Sequence, residues 1–553
     1  MSIINDFDRE RPTVAGSETP DLTILYGSQT GNAEYLAHQI HGASQKNGGT
    51  VGLASLEEWM QSGDRSLRRL LVVTSTHDNG HMPDNAAEFW DWISSLEPGD
   101  LEGLPYAVLS IGDSMYEDFC KAGHDIDGRL HELGAVRAVE GIDCDIDFEF
   151  SATRWAGPAV ADLLATEPWM AEPPKAVESA TAPLIESDPG ERRHTARIVA
   201  SRELSKPGSA KHVAHYELAF DDGPFPYEPG DSISVFITNP DALVDVWIGI
   251  FGDRTLAGPD GHRTLRDILL REVELRLPHP GLIIGLARLR PDNATVGRVV
   301  DLIQGGRREE LDSWLWGRDV LDVLRDLECL DLPIEAILET LRPLQHRDYS
   351  IASSPLSDDG QVHLTVNGVL YDRDGRSHRG AATAFLRARA ADGEPFEVHR
   401  IPAHEFRLPN PETPVVMIGP GVGVAPFRAF LRHRDATGAR GRNWLFFGDQ
   451  HREVDYLYED EFTELSRRGV LTRLDAAFSR DQAEKHYVQH DLLANADELR
   501  RWVDEGAYIF VCGDKTHMAH DVDRALGEIL DGNGRPDLLG HLKATGQYVK
   551  DVY

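Results

Sequence analysis

A chain of 553 residues is roughly three to four times the usual domain length, so several domains are expected, each with its own core. Its 92 acidic against 56 basic residues leave a formal charge of −36, a surface that repels phosphate backbones and argues against nucleic acid as a partner. No stretch approaches the roughly 18 consecutive apolar residues of a membrane helix, and the first twenty residues carry no secretory pattern, so the expectation is a cytoplasmic protein with no membrane partner.

Residues 1–20 read as an N-terminal tail. From 21 to 166, short apolar runs alternate with amphipathic helical stretches: LTILY then EYLAHQI, RRLLVVTST then NAAEFWDWI, YAVLSIGDS then GHDIDGRLHEL. This alternation predicts a doubly wound parallel sheet. LTILY runs through Gly27 into Ser28, Gln29, Thr30, Gly31, Asn32 and Ala33 and then into a helix. Backbone N–H groups, hydroxyls and a helix N-terminus suit a terminal phosphate, and the lack of a P-loop lysine favours a monophosphate over a nucleoside triphosphate. Two further loops, Ser75-Thr76-His77 and Gly112-Asp113 leading to Tyr116, lie at the carboxyl ends of later strands, where ligands sit in open α/β sheets. Tyr116 can lie flat on a planar heterocycle and His77 can cover its other face.

Residues 167–192 are rich in Pro, Ala and Glu and read as a linker. Strand-like segments without intervening helices occupy 193–238 and return across 345–410, as in an antiparallel barrel; 239–344 carries helical runs such as ALVDVWIGIFG, TVGRVVDLI and IEAILETLRPL and reads as a helical insertion. Within the barrel, Arg347-Asp348-Tyr349-Ser350 opens a strand, and Gly380-Ala381-Ala382-Thr383 precedes a helix. Small residues at a helix start admit a pyrophosphate, and arginine pairs with phosphate oxygens. From 411 to 553 strand and helix pairs return, predicting a second nucleotide-binding sheet with a glycine turn at Gly419, Gly421 and Gly423. Ser479, Arg480, Lys485, Tyr487 and Gln489 follow a later strand; hydroxyl, guanidinium and ammonium groups there neutralise an extra phosphate and favour NADPH over NADH.

Cys120, Cys144, Cys329 and Cys512 form no CxxC pair, so no metal centre is expected from them, and the chemistry is assigned to organic cofactors. The first loops resemble the FMN-binding flavodoxin domain, with Ser28 to Ala33 at its phosphate loop and Tyr116 as its stacking tyrosine. The second loop departs from that pattern, reading His77-Asp78-Asn79-Gly80-His81-Met82 where relatives carry a Gly-acid-Gly run. The RDYS and GAAT segments resemble the FAD-binding barrel of the ferredoxin–NADP reductase superfamily. From about residue 20 to the end, the chain resembles the diflavin reductase family. Within that family, FRLPNPETPVVMIGPGVGVAPFRAFL, NWLFFGDQ and the DVY ending look most like the branch serving NADPH-dependent sulfite reductase.

The resemblance implies FMN, FAD and NADPH as cofactors, and the order NADPH to FAD to FMN to an external haem protein. It implies Arg347 on phosphate, Tyr349 packed on the flavin and Ser350 near its N5, with Thr365, Val366, Asn367 and Tyr371 lining FAD. It further implies Cys120 at the first flavin, Asp521 at the dinucleotide and Tyr553 on the FAD ring face. Ser350, Cys512 and Asp551 are then the residues expected around the nicotinamide, orienting hydride transfer. The implied partner is a siroheme and iron–sulfur haemoprotein subunit in a hetero-oligomer. Two other readings stay open: a stand-alone reductase for a monooxygenase or another haem or flavodoxin-like acceptor, and an FAD-only NADPH diaphorase whose first domain is a docking module.

Overall fold

A computed structural model describes residues 19–28, 31–45, 50–76, 80, 82–114, 118–145, 148–170, 193–221, 223–258, 261–403, 405–531 and 537–552. Gln29, Thr30, His77, Tyr116 and Tyr553, most of the 1–20 tail and most of the 167–192 linker lie outside the described residues. The chain divides into two compact units, Met1–Leu184 with Asp241–Gln345, and Ile185–Pro240 with His346–Tyr553.

The first unit contains a parallel sheet of β1 (Leu22–Gly27), β2 (Val51–Ser55), β3 (Leu70–Ser75), β4 (Pro105–Ile111), β5 (Val136–Arg137) and β6 (Ile142–Cys144). Its order is β2-β1-β3-β4-β5, and β6 pairs β4 further along, so β5 and β6 are two pieces of one edge. All residues of β1, β3 and β4 are buried, because helices cover both faces; LTILY and LLVVTS are apolar runs for that reason. The insertion packs around the fully buried Trp247, Leu275 and Leu324. Its helix Ala294–Gln304 starts where the Asn293 side chain accepts from the N–H groups of Thr295 and Val296, and the helix Val320–Asp326 has a capping box between Asp319 and Asp322. The run IEAILETLRPL forms a shorter helix than its composition suggests, Ile334–Leu338. Thr340 Oγ1 donates to the Ile337 carbonyl at 2.7 Å and closes it.

The second unit joins a barrel to a nucleotide-type sheet. Strands β7 (His194–Glu203), β8 (His212–Phe220) and β9 (Ser232–Val235) precede the insertion, which itself contains a hairpin, β10 (Thr255–Gly258) and β11 (Gly261–Thr264). After it come β12 (Arg347–Ser350), β13 (Val362–Gly368), β14 (Leu370–Arg373), β15 (Arg376–Arg379) and β16 (Phe396–Ile401). The antiparallel order is β12-β9-β16-β7-β8-β13. Its two edges meet where the Ala352 N–H donates to the His363 carbonyl at 2.8 Å.

The last sheet is β17 (Val415–Ile418), β18 (Asn443–Asp449), β19 (Arg473–Phe478), β20 (Tyr508–Gly513) and β21 (Tyr548–Val552), parallel throughout in the order β19-β18-β17-β20-β21. A buried polar seam ties it to the barrel. Arg428 Nη1 donates to the Ala352 carbonyl at 2.6 Å and to His363 Nδ1 at 3.2 Å, while its Nε pairs with Glu461 at 2.9 Å. The Tyr458 hydroxyl meets His215 Nδ1 at 2.9 Å and Thr365 Oγ1 at 2.7 Å. Burial and the Arg428 charge push His363 down to about 4, so it stays a neutral acceptor.

Candidate flavin and dinucleotide sites

In the first unit Ser28, Ser75 with Thr76, and Gly112 with Asp113 stand at the ends of β1, β3 and β4, three adjacent parallel strands, and so converge at one end of the sheet. Gly31 is the N-cap of the helix Asn32–Ser44, with φ 80° and no side-chain cap of its own. The left-handed backbone favours glycine at 31, and a Cβ there would lie 2.8 Å from Gln345 Oε1, so that amide would have to swing aside. Ser28 Oγ accepts from the Ala33 N–H at 3.2 Å, and the Ser28 N–H donates to Asn85 Oδ1 at 2.8 Å, which holds the described ends of the loop. Thr76 Oγ1 accepts from Ala122 N–H at 3.2 Å.

The Cys120 thiol is fully buried and donates to the Cys144 carbonyl at 3.7 Å; burial pushes it up to about 12. It is packing beneath Gly112, where an added Cβ would stand 2.7 Å from the Cys120 nitrogen.

In the barrel, Arg347 and Tyr349 alternate with Asp348 along β12, and the helix Ala381–Asp392 opens at Gly380 without a side-chain cap. Its first N–H groups are therefore available to a pyrophosphate. Ala381 and Ala382 are buried against the barrel, and Thr383 Oγ1 accepts from the Val369 N–H at 3.2 Å, so the GAAT segment fixes this helix on the strand it follows. Tyr371 stacks on His378 with centroids 5.1 Å apart and 9° between planes. The Thr365 hydroxyl meets that of Tyr458 in the seam, and the Val366 side chain, on the opposite face of β13, is 4% exposed.

The last sheet carries a cavity of about 650 Å³ at its carboxyl end, lined by Gly421, Gly423, Ser479, Arg480, Lys485, Tyr487, Gln489 and Asp521. Asn367, expected at FAD, stands in the wall of this cavity. A Cβ on Gly423 would fall 2.2 Å from the Cys512 carbonyl oxygen, so only glycine lets this turn lie against β20. Gln489 Nε2 donates to Asp521 Oδ2 at 3.0 Å. Sequence reasoning missed two members, Lys211 from the hairpin between β7 and β8, and Asp449 at the end of β18, which form an ion pair within the cavity wall.

The three residues expected around the nicotinamide meet. Ser350 Oγ donates to Asp551 Oδ2 at 2.9 Å, and Cys512 Sγ lies 3.8 Å from the same oxygen. Register explains it: β20 and β21 place Cys512 opposite Asp551, and the seam holds the end of β12 against them.

A flavodoxin-type sheet, a flavin-type barrel and a dinucleotide-sized cavity at a glycine turn define an NADPH-dependent diflavin oxidoreductase. The comparisons agree: the families described as Flavodoxin, FAD binding domain and Oxidoreductase NAD-binding domain match residues 24–153, 187–385 and 417–524. The sulfite reductase [NADPH] flavoprotein alpha-component of Bacillus subtilis is 36% identical over 98% of this chain and 91% of its own length. Those of Serratia proteamaculans (36%) and Escherichia coli (35%) each match over 97% of this chain and 90% of theirs. The chain belongs to the family of flavoprotein alpha-components of NADPH-dependent sulfite reductase. Its cofactors are FMN, FAD and NADPH, and electrons run from NADPH to FAD to FMN. No helix among the described residues is long and apolar enough to cross a membrane.

Proposed function

We propose that the final acceptor is the haemoprotein subunit of a sulfite reductase, a siroheme and iron–sulfur protein with which this chain forms a cytoplasmic hetero-oligomer. The observation that carries the reading is identity spread over nearly the whole length of the alpha-components. The chain's four cysteines are buried and far apart in sequence with no CxxC spacing, which suits sulfite chemistry carried by a partner.

Within this chain, the flavins and the dinucleotide supply hydride and single-electron chemistry, and the residues supply position and polarity. The uncapped helix starts at Gly31 and Gly380 would hold the FMN phosphate and the FAD pyrophosphate, and Tyr349 would pack on the flavin ring. Arg480 and Lys485 would neutralise the 2′-phosphate, with Ser479, Tyr487 and Gln489 on the adenosine side. Lys211, above the Gly421 turn, would meet the pyrophosphate. Asp551, joined to Ser350 and Cys512, would fix the orientation in which the nicotinamide presents its hydride.

Reconstitution tests the acceptor. Mixed with a siroheme-containing subunit, the flavoprotein should couple NADPH oxidation to sulfide formation and co-elute with it. Rapid reduction of a small artificial acceptor with no sulfide formed and no complex would remove the sulfite reductase reading and leave a reductase for another acceptor.

A further inference from the structure

We propose that Asp449 sets the affinity of the dinucleotide cavity by competing with the dinucleotide's phosphates for the ammonium of Lys211. The inference rests on the assignment of this cavity to NADPH. The Lys211 ammonium lies over the glycine turn, with Nζ 3.9 Å from where a Cβ on Gly421 would be, and it is ion-paired to Asp449 Oδ1. The Asp449 side chain has 0% exposure. Its Oδ1 also accepts from the Gln450 N–H at 2.7 Å, whereas its buried Oδ2 has no hydrogen-bond partner among the described residues. A buried carboxylate with one unsatisfied oxygen is costly, and burial raises its pKa.

The pair is not what anchors the hairpin. The Lys206 N–H donates to the Val454 carbonyl at 2.8 Å, Ser209 Oγ pairs with Asp455, and the same Oγ accepts from the Lys211 N–H at 2.9 Å. With the hairpin docked by those contacts, the Asp449 carboxylate acts on the lysine's charge. A pyrophosphate arriving at the Gly421 turn meets an ammonium already neutralised and a carboxylate of its own sign beside it. Each dinucleotide must also leave after giving up its hydride, and an acid that takes Lys211 back favours that departure. Asp449 therefore trades affinity for exchange.

The test is a direct binding measurement on the full flavin-loaded chain. Asp449→Asn keeps the size of the side chain and an acceptor for Gln450 and Lys211 while removing the charge. Calorimetric titration should show NADP⁺ bound about tenfold more tightly than by the wild type, the order expected when Lys211 no longer has to give up a charged partner to meet the pyrophosphate. Stopped-flow dissociation should be correspondingly slower. In a Lys211→Met background the same substitution should tighten binding distinctly less than about tenfold, because only the direct repulsion between carboxylate and pyrophosphate is then relieved. The fragment 2′-AMP, which lacks the pyrophosphate, should bind wild type and Asp449→Asn alike.

Unchanged or weaker NADP⁺ binding by Asp449→Asn would overturn the proposal, since the acid would then be positioning Lys211 rather than competing for it. Equal tightening in the Lys211→Met background, or of 2′-AMP, would overturn it too. Should Asp449→Asn lose flavin, Asp449→Ser takes its place under the same criteria. Absence of NADP⁺ binding by the wild type would instead count against the cavity's assignment.

Discussion

The chain carries two parallel sheets, each with a candidate phosphate site at the carboxyl ends of its strands, and the two candidates differ in chemistry. The segment from Gly27 to Glu34 contains no lysine or arginine and relies on hydroxyls, backbone N–H groups and the helix start at Gly31. The cavity on the later sheet collects Lys211, Arg480 and Lys485, the last two exposed. A cofactor that stays is suited by hydroxyl and backbone donors that need no charge, whereas a dinucleotide that is exchanged on every turnover is suited by cations that attract it and let it go.

The comparison breaks most visibly at the glycines. Gly423→Ala sets a Cβ 2.2 Å from the Cys512 carbonyl oxygen, and backbone cannot yield cheaply to backbone. NADPH-dependent FAD reduction should fall by about 100-fold or more, as misplacement by an ångström does elsewhere. FMN and FAD content should be unchanged, which flavin release from the purified variant checks. Loss of FMN as well would mean the two sheets are not independent.

Removing the cations is the next largest effect. Arg480→Ala with Lys485→Ala should lower kcat/KM for NADPH by about 100-fold, since charged hydrogen bonds contribute about 1.5–3 kcal/mol each. NADH, with no 2′-phosphate, should change by less than about threefold. Equal losses on both would show that these residues do not read the phosphate. In the first sheet, Gly31→Ala forces a side chain into left-handed backbone beside Gln345. FMN affinity should drop about tenfold, from a conformational cost of about 1–2 kcal/mol, with NADPH-driven FAD reduction intact.

These glycines and cations were legible in the sequence because a phosphate site is local: a strand, a short loop and a helix start within about ten residues. The same locality explains what was not legible. Lys211 and Asp449 are 238 positions apart, and nothing near either residue announces the other. Thr365 sits in a strand whose alternation leaves open which face meets the flavin and which meets Tyr458, 93 positions away. Ser350 and Asp551, 201 positions apart, were brought together by family resemblance rather than by pattern. The hairpin β10–β11 was overlooked although Gly258-Pro259-Asp260-Gly261 is a turn signal, because helical runs on both sides dominated that stretch.

The smallest effect contrasts the two units in acid. Burial pushes Glu34, at the first phosphate loop, up to about 7, so its protonated form belongs to the fold. Its contribution is present at low pH and is lost as pH rises from 4.5 to about 7. Burial and Arg428 hold His363, in the seam of the second unit, down to about 4. Its contribution is present above 6.5 and is lost as pH falls toward 4, because the unfolded chain then takes a proton the fold refuses. Between pH 7 and 5.5 each term amounts to about 1 kcal/mol, with opposite sign. Glu34→Gln should therefore remove an acid-side gain in the temperature at which FMN is released. His363→Gln, which keeps a neutral acceptor for Arg428, should remove an acid-side loss in the temperature at which FAD is released. Shifts of a few degrees are expected, read from flavin fluorescence on heating. If both variants track the wild type across this range, neither buried group titrates as its surroundings require; shifts of the same sign would mean that the two units respond to acid as one.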